Sequence, residues 1–181
     1  MSPESLFVDA LLAADVSFAA SLPDDWLLEL IRAVESEPRI KHVAVAHEEE
    51  IPGLCAGAFF AGKNSVAIMG MAGLLAVPHE LATLNLMHGV PLLIVTSHRG
   101  QIGDPRVYQV VQGQVGVPVI EALGIPYYVL DSADRFSMIP EALEHSRIAK
   151  RPVILGLQKS ALRSADREAA KLQEGVVHAS N

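Results

Sequence analysis

Two adjacent aspartates, Asp24 and Asp25, follow Pro23 directly after an apolar run of the chain. One aspartate is enough to cap a helix that begins at this point, because its side chain accepts hydrogen bonds from free backbone amides. A second carboxylate beside the first also permits proton transfer during catalysis. The sequence therefore leaves two roles open for this pair, helix capping and general acid–base chemistry.

Three glutamates stand in a row, Glu48, Glu49 and Glu50. Acidic side chains stabilise the positive end of a helix, which by itself accounts for Glu49 and Glu50. The helix dipole does not require the glycines at offsets of five and nine from Glu48, which are Gly53 and Gly57. These small residues let another structure pack close to the helix, and the end of a buried strand would partly desolvate Glu48. The pattern favours a chemical role for Glu48.

Polar residues also occupy the long segment Thr96–Asp104, which contains two glycines and charges of both signs. Such a composition is typical of a functional loop. Arg99 carries a forked guanidinium that suits a substrate carboxylate, and it suits an acid of a neighbouring subunit equally well. His98 is a further candidate for proton transfer, because imidazole changes its charge near neutral pH.

Short apolar or β-branched runs alternate with segments of helical period along the whole chain. This alternation predicts an α/β fold: an open, doubly wound, mainly parallel six-stranded sheet with helices on both faces. Ligands of such folds bind beyond the carboxyl ends of the strands, where the polar segments lie. The predicted strands are Val16–Ala20, Val43–Ala46, Val66–Met69, Leu92–Thr96, Tyr127–Leu130 and Val153–Leu157. The predicted helices are Leu6–Ala14, Asp25–Glu35, Glu50–Ala61, Pro78–Met87, Val115–Leu123 and Pro140–Ile148, and Gly70–Ala76 is a predicted loop.

The stretches that carry a family resemblance are HEEEIPGLCAGAFFAGK from His47, LPDDWLLELI from Leu22 and SHRGQIGD from Ser97, with Gln112-Gly113 after them. In order and spacing they are similar to the sulfopyruvate and phosphonopyruvate decarboxylases, which depend on thiamine diphosphate. The resemblance extends over most of the chain, from about residue 6 to residue 162. It implies the pyrimidine-binding domain fold and an alpha subunit of such an enzyme.

The resemblance also implies a role for Glu48 in decarboxylating a 2-oxo acid to an aldehyde and CO2. In the family this glutamate hydrogen-bonds N1′ of the cofactor's aminopyrimidine and promotes the tautomer that deprotonates the thiazolium ring. Glu49 takes this role if the alignment is shifted by one residue. The expected catalytic residues are Glu48, Asp24 and Asp25; the expected cofactor-binding residues are Pro23, Glu48, Ala72 and Gly73; the expected substrate-binding residues are His98 and Arg99.

The segment Met71–Ala76 departs from the family, which tends to have a polar Asn-Ser-Gly-Leu-Gly-Asn run there. An apolar pocket suits a less charged 2-oxo acid, so a carboligase or lyase acting on such an acid is the alternative function. Helix packing alone also accounts for these residues. A non-catalytic scaffold of the same fold is a further alternative, which Glu48 argues against. A flavodoxin-like nucleotide binder is disfavoured because no glycine-rich phosphate loop follows the first strand.

The family binds its diphosphate through Mg²⁺, with a Gly-Asp-Gly motif and a later asparagine on a separate domain. In this chain Gly103-Asp104 is followed by Pro105, and no such motif pair occurs elsewhere. One Gly-Asp dipeptide does not provide the oxygen ligands that Mg²⁺ requires. The resemblance therefore implies no metal ligand here. It implies a diphosphate-binding beta subunit that carries Gly-Asp-Gly and the asparagine, in a hetero-oligomer with at least two copies of each chain.

Composition limits the remaining possibilities. The 181 residues, half of them hydrophobic, suit one domain over residues 1–165 followed by a polar tail over residues 166–181. The formal charge of −7 and the lack of a basic cluster argue against nucleic acid as a partner. We expect a cytoplasmic protein without a membrane partner, because no apolar run is long enough and no signal peptide pattern is present. The single cysteine, Cys55, is expected to be a buried small hydrophobe.

Overall fold

The computed structural model describes residues 1–163; the predicted tail over residues 166–181 lies outside the described residues. The strands are β1 (Val16–Ser21), β2 (Lys41–Ala44), β3 (Asn64–Met69), β4 (Leu92–Ser97), β5 (Tyr127–Leu130) and β6 (Pro152–Leu157). The α-helices are α1 (Pro3–Ala13), α2 (Leu28–Glu35), α3 (Glu50–Phe60), α4 (Met71–Ala76), α5 (Pro78–Glu80), α6 (Val107–Ala122) and α7 (Ile139–Ala149). A π-helix (Leu81–Leu86) continues α5, and short 3-10 helices cover Ala133–Met138 and Lys159–Leu162.

The six strands form one sheet in the order β2-β1-β3-β4-β6-β5. Every neighbouring pair is parallel. The predicted α/β fold with a doubly wound parallel sheet is therefore confirmed, and each predicted strand overlaps an observed one. The chain leaves β1 toward β2 on one side and returns to β3 on the other, so the order reverses beside β1. A ligand crevice is expected at this switch point in folds of this type.

Two apolar layers cover the sheet. Val66 and Ile68 of β3 face the layer formed by α1, α2 and α7, whereas Ala67 and Met69 face α3, α4 and α6. Successive strand residues point to opposite faces, so a strand covered on both sides must be apolar at nearly every position. Cys55 of α3 is buried in the second layer, as expected, and burial raises the pKa of its thiol to about 12.

Several predicted boundaries of helical segments were wrong. The helix predicted from Asp25 begins at Leu28, after a turn over residues 25–27. The predicted loop Gly70–Ala76 is almost entirely the helix α4. Helix α6 begins at Val107, eight residues before the predicted start at Val115.

Tertiary packing explains the early start of α6. β-Branched valines and Gly113 weaken the local tendency to form a helix. The helix nevertheless forms because the loop after β4 packs closely on its first half, where the backbone of Gly100 lies against Gly113. Within the described residues, no helix is both long and apolar enough to cross a bilayer.

Candidate active site

The turn between β2 and α3 positions Glu48. Its carbonyl accepts a hydrogen bond from the Ile51 amide at 3.0 Å, which leads the chain into α3. The Glu48 side chain is half-buried, whereas Glu49 and Glu50 are exposed. The Glu48 side chain is more accessible to solvent than the sequence predicted, because β2 is an edge strand with partly exposed residues. Of the three glutamates, Glu48 is the one that the fold withdraws from solvent.

The side chain of Glu48 packs directly against Gly73 of α4. A Cβ atom built on Gly73 would lie 2.7 Å from Oε1 of Glu48, closer than atoms that are not bonded can approach. The absence of a side chain at Gly73 therefore creates the space that the Glu48 carboxylate occupies. Gly73 itself is buried, and its neighbour Ala72 is exposed.

Asp24 makes the same kind of contact one helical turn away. A Cβ atom built on Gly70 would lie 2.5 Å from Oδ2 of Asp24. Residues three apart at a helix start lie on one side, roughly 5–6 Å from each other. Asp24 and Glu48, which follow different strands, thus both pack against the start of α4.

Burial raises the pKa of the Asp24 carboxyl, and the negative charge of Asp25 adds to this effect. The Trp26 amide, which donates to Oδ1 of Asp24 at 3.0 Å, acts in the opposite direction. A half-buried carboxyl with a raised pKa holds its proton at higher pH than a free one, which suits proton transfer.

The two adjacent aspartates have different roles in the structure. The residue that caps α2 is Leu27, which makes no side-chain capping bond, so neither aspartate caps this helix as predicted. Asp24 instead closes the preceding turn through the Trp26 amide. Asp25 pairs with Arg99 at 3.0 Å and with Arg106 at 3.1 Å.

Arg99 is 1% exposed and binds two carboxylates of its own chain. Its Nε and Nη2 atoms donate to Asp104 at 2.9 and 3.2 Å, and Nη1 donates to Asp25. The guanidinium carbon lies 3.9 Å from the ring centroid of Trp26. Hydrogen bonding to Arg99 lowers the pKa of the Asp104 carboxyl. The sequence left two possible partners for Arg99, a substrate carboxylate and an acid of another subunit. The structure instead pairs Arg99 with Asp25 and Asp104 of the same chain.

His98 is 9% exposed and is held at both ring nitrogens. Nδ1 lies 2.9 Å from the hydroxyl of Tyr127, and Nε2 lies 2.8 Å from the carboxamide nitrogen of Gln101. Because the Gln101 nitrogen is a donor, Nε2 is the acceptor and Nδ1 carries the proton toward Tyr127. Burial lowers the pKa of His98 and favours this neutral form.

No protein-family model matches the chain. It is 28% identical over 156 residues to sulfopyruvate decarboxylase subunit alpha of Methanococcus maripaludis, covering 86% of this chain and 93% of that protein. It is 35% identical over 114 residues to the subunit of the same name from Methanothermobacter thermautotrophicus, covering 63% of this chain and 69% of that protein.

The chain belongs to the sulfopyruvate decarboxylase alpha-subunit family.

Two further comparisons are more distant. Phosphonopyruvate decarboxylase of Streptomyces viridochromogenes is 30% identical over 97 residues, covering 54% of this chain and 24% of that enzyme. Among solved structures, the 2-oxoglutarate:ferredoxin oxidoreductase of Magnetococcus marinus superposes with a TM-score of 0.69 at 17% identity. That match covers 90% of this chain and 29% of the other chain, and it shows a shared fold.

Several residues that shape this alpha-subunit site were not identified from the sequence. Gly70 receives Asp24, Tyr127 and Gln101 orient His98, and Trp26 stacks on Arg99. Of the residues expected around the cofactor, Gly73 contacts Glu48, whereas Pro23 and Ala72 are exposed. In the described part of the chain, no three His, Cys, Asp or Glu side chains form a group that could hold a metal ion.

Proposed function

We propose that the chain is the pyrimidine-binding alpha subunit of a thiamine-diphosphate-dependent decarboxylase. Its substrate is a small acidic 2-oxo acid, sulfopyruvate or phosphonopyruvate, and the products are an aldehyde and CO2. One observation carries the proposal: the half-buried carboxylate of Glu48 lies against Gly73 at the carboxyl edge of the sheet. The family to which the chain belongs supports the same reaction.

The residues at this edge fit an aminopyrimidine ring. Thiamine diphosphate, when bound, supplies the electron sink for decarboxylation. Glu48 would hold a proton at the N1′ atom of the ring. Gly73 leaves the space that this carboxylate needs, and partial desolvation strengthens a hydrogen bond to the ring nitrogen. Pro23, Ala72 and Gly73 would form the surrounding wall.

Asp24 is the better proton-transfer group of the two aspartates. Its pKa is raised by burial, and it packs on Gly70, three residues before the glycine that Glu48 contacts. Asp25 is engaged by two arginines and acts by holding the turn in place. A direct substrate contact by His98 or Arg99 requires that they give up bonds made within the chain. We therefore assign both a supporting role on the substrate side.

A second subunit would complete the site with Mg²⁺ and the diphosphate contacts. The surface supports such a partner. Apart from the adjacent backbone of α3 itself, no described atom lies within 4 Å of a Cβ built on Gly53 or Gly57, and Phe60 on the same helix is 70% exposed. Helix α6 exposes Val107 and Val111 as well. Apolar faces of this kind mark protein interfaces. We place the complex, with at least two copies of each chain, in the cytoplasm.

The structure weakens the alternative of a less charged substrate. That alternative rested on the apolar segment Met71–Ala76. In helix α4, Met71 and Leu74 are buried within the layer that packs on α6, so they do not line an open pocket. Ala72 and Ala76 are exposed there, and Leu75 is half-buried. Helix packing accounts for the apolar residues without a change of substrate.

Reconstitution tests the proposal. The chain is co-purified with its beta subunit, and CO2 release is measured with sulfopyruvate, phosphonopyruvate and pyruvate, with and without thiamine diphosphate and Mg²⁺. We expect cofactor-dependent release that is fastest with one of the two acidic substrates. A purified complex that binds thiamine diphosphate and decarboxylates none of the three would refute the assignment. A preference for pyruvate would favour the alternative.

A further inference from the structure

A cleft of about 440 Å³ opens at the carboxyl ends of β4 and β6. The side chains that line it include Trp26, His98, Gln101, Gln158, Lys159 and Arg163. Neither Glu48 nor Gly73 lines it. Asp24 faces Gly70 while Trp26, two residues later, faces the cleft. The turn after β1 therefore lies between the region around Glu48 and Gly73 and the cleft.

The accessible charge in the cleft is positive. Among residues 1–163, the one carboxylate that lines the cleft is Asp104, whose side chain is 1% exposed and bound twice by Arg99. Arg99 is in turn neutralised by Asp104 and Asp25. Lys159 is exposed, and within residues 1–163 it forms no ion pair with an acid. Its ammonium lies 5.6 Å from the centroid of the Trp26 ring.

The side chains that line the cleft also include hydrogen-bond donors beside this cation. Gln101 and Gln158 carry carboxamides, and Ser160 carries a hydroxyl. Together with an ammonium, such groups bind a carboxylate or a sulfonate through charge-assisted hydrogen bonds. The volume lies in the range of pockets for small molecules, roughly 300–1,000 Å³.

We propose that this cleft is a binding site for a small organic anion, with Lys159 as a charged contact. The strands that lead to Gly73 and Lys159 are two positions apart in the sheet, roughly 10 Å. An anion at Lys159 therefore does not occupy the space beside Glu48. Its source is either the distal acidic group of the 2-oxo acid substrate or a separate organic acid that acts on the complex.

Trp26 provides a direct test, because it is the only tryptophan of the chain. The full chain is titrated with sulfoacetate, and binding is followed by Trp26 fluorescence and by calorimetry. We expect saturable binding, absent with the neutral acetamide. In Lys159→Ala the affinity should fall at least about tenfold, the value of one charge-assisted hydrogen bond. Lys159→Arg should retain binding.

Lys63→Ala is the matched control. Lys63 is exposed and directly precedes β3, so it lies at the amino ends of the strands, whereas the cleft lies at their carboxyl ends. It should bind as the wild type does. Circular dichroism verifies that each variant is folded. The proposal fails if neither measurement detects saturable binding, or if Lys159→Ala binds as tightly as the wild type.

Kinetics of the assembled complex distinguish the two sources. If the anion is the substrate's distal acid, Lys159→Ala raises KM for sulfopyruvate and leaves KM for pyruvate unchanged. If the anion is a separate acid, both KM values stay constant and the variant loses the effect of sulfoacetate on the rate. The first source rests on the proposed decarboxylase function. The fluorescence titration needs no cofactor or partner, so failure of that function leaves the cleft proposal testable.

Discussion

The side chain of Glu48 occupies the space that a Cβ atom of Gly73 would fill, although Glu48 follows β2 and Gly73 lies in the helix after β3. Because no side chain fits between them, the position of the carboxylate depends on a residue 25 positions later in the chain. Gly73 thus has a defined effect on the candidate active site, which substitution can measure.

Gly73→Ala should lower the rate of decarboxylation by the reconstituted complex at least about tenfold, which corresponds to about 1.4 kcal/mol of transition-state stabilisation. The added methyl group occupies the space of the Glu48 carboxylate and displaces it, while alanine favours the helix more than glycine does. Thermal unfolding of the isolated chain should therefore change little. Full activity in a folded Gly73→Ala complex contradicts the geometric role of Gly73.

Glu48→Gln should abolish decarboxylation, because the amide cannot share a proton with N1′ as a carboxylate does. Glu49→Gln is the matched control: it removes the same charge one residue later, from an exposed side chain. Its complex should keep most of the wild-type rate. The measurement is CO2 release at saturating substrate. The opposite result, with the glutamine at position 49 inactivating the complex, would show that the alignment to the family is shifted by one residue.

Gly57→Ala should stabilise the isolated chain by about 0.5–1 kcal/mol, since a methyl group in open space removes the entropic disadvantage of a helical glycine. The same substitution should weaken binding to the beta subunit if the partner packs on this face of α3. Urea-induced unfolding measures the first effect and analytical ultracentrifugation the second. Unchanged affinity for the beta subunit would remove this face from the proposed interface.

Arg99→Ala should destabilise the chain by about 3 kcal/mol or more, because it leaves the buried Asp104 carboxylate without its cation. Arg99→Lys should be intermediate, since lysine lacks the paired donors and the planar group that stacks on Trp26. Arg32→Ala serves as the control: it removes an exposed ion pair with Glu29 and should cost less than about 1 kcal/mol. Urea unfolding followed by circular dichroism compares the three. Equal losses for Arg99→Ala and Arg32→Ala would show that the buried network contributes little.

Asp24 makes stability depend on pH in a specific direction. Its folded-state pKa is raised above the ordinary value of 3.8, so the folded chain loses stability as pH rises from that value through the folded pKa. Asp24→Asn keeps the acceptor for the Trp26 amide and removes the charge. The variant should therefore gain stability relative to the wild type across this interval, measured as the free energy of unfolding against pH. If the difference in the free energy of unfolding between Asp24→Asn and the wild type does not change with pH, this effect of Asp24 is excluded.

Asp104 should behave in the opposite way, because hydrogen bonding to Arg99 lowers its folded-state pKa. Its contribution to stability is present above the ordinary value of 3.8 and is lost as pH falls through the lowered pKa. Asp104→Asn should be less stable than the wild type at neutral pH, and the difference should shrink in acid. If the loss of stability in Asp104→Asn persists unchanged to low pH, it is due to packing and not to the charge of Asp104.

Regular elements with strong patterns were predictable from the sequence. All six strands were found, and the inner ones show why: a parallel sheet covered on both faces leaves a strand with a nearly continuous apolar run, visible without the fold. The edge strand β2 lacks such a run, and its prediction overlaps the observed strand only at Val43 and Ala44. Helix α6 shows the limit. Its first half contains valines and Gly113, and it becomes helical because Gly100 and Gly113 let the loop after β4 lie against it. Such packing has no local pattern in the sequence.

By itself, the sequence determined the fold class, the family and Glu48 as the candidate carboxylate, because hydrophobic periodicity and motif order are properties of the linear chain. Only the tertiary structure decided which residues meet. It brought Asp24 and Glu48 to one helix start, gave Arg99 to Asp25 and Asp104, and formed the cleft beside Trp26. These contacts join segments far apart in the chain. Their positions are set by the order of the strands, which no local spacing of residues specifies.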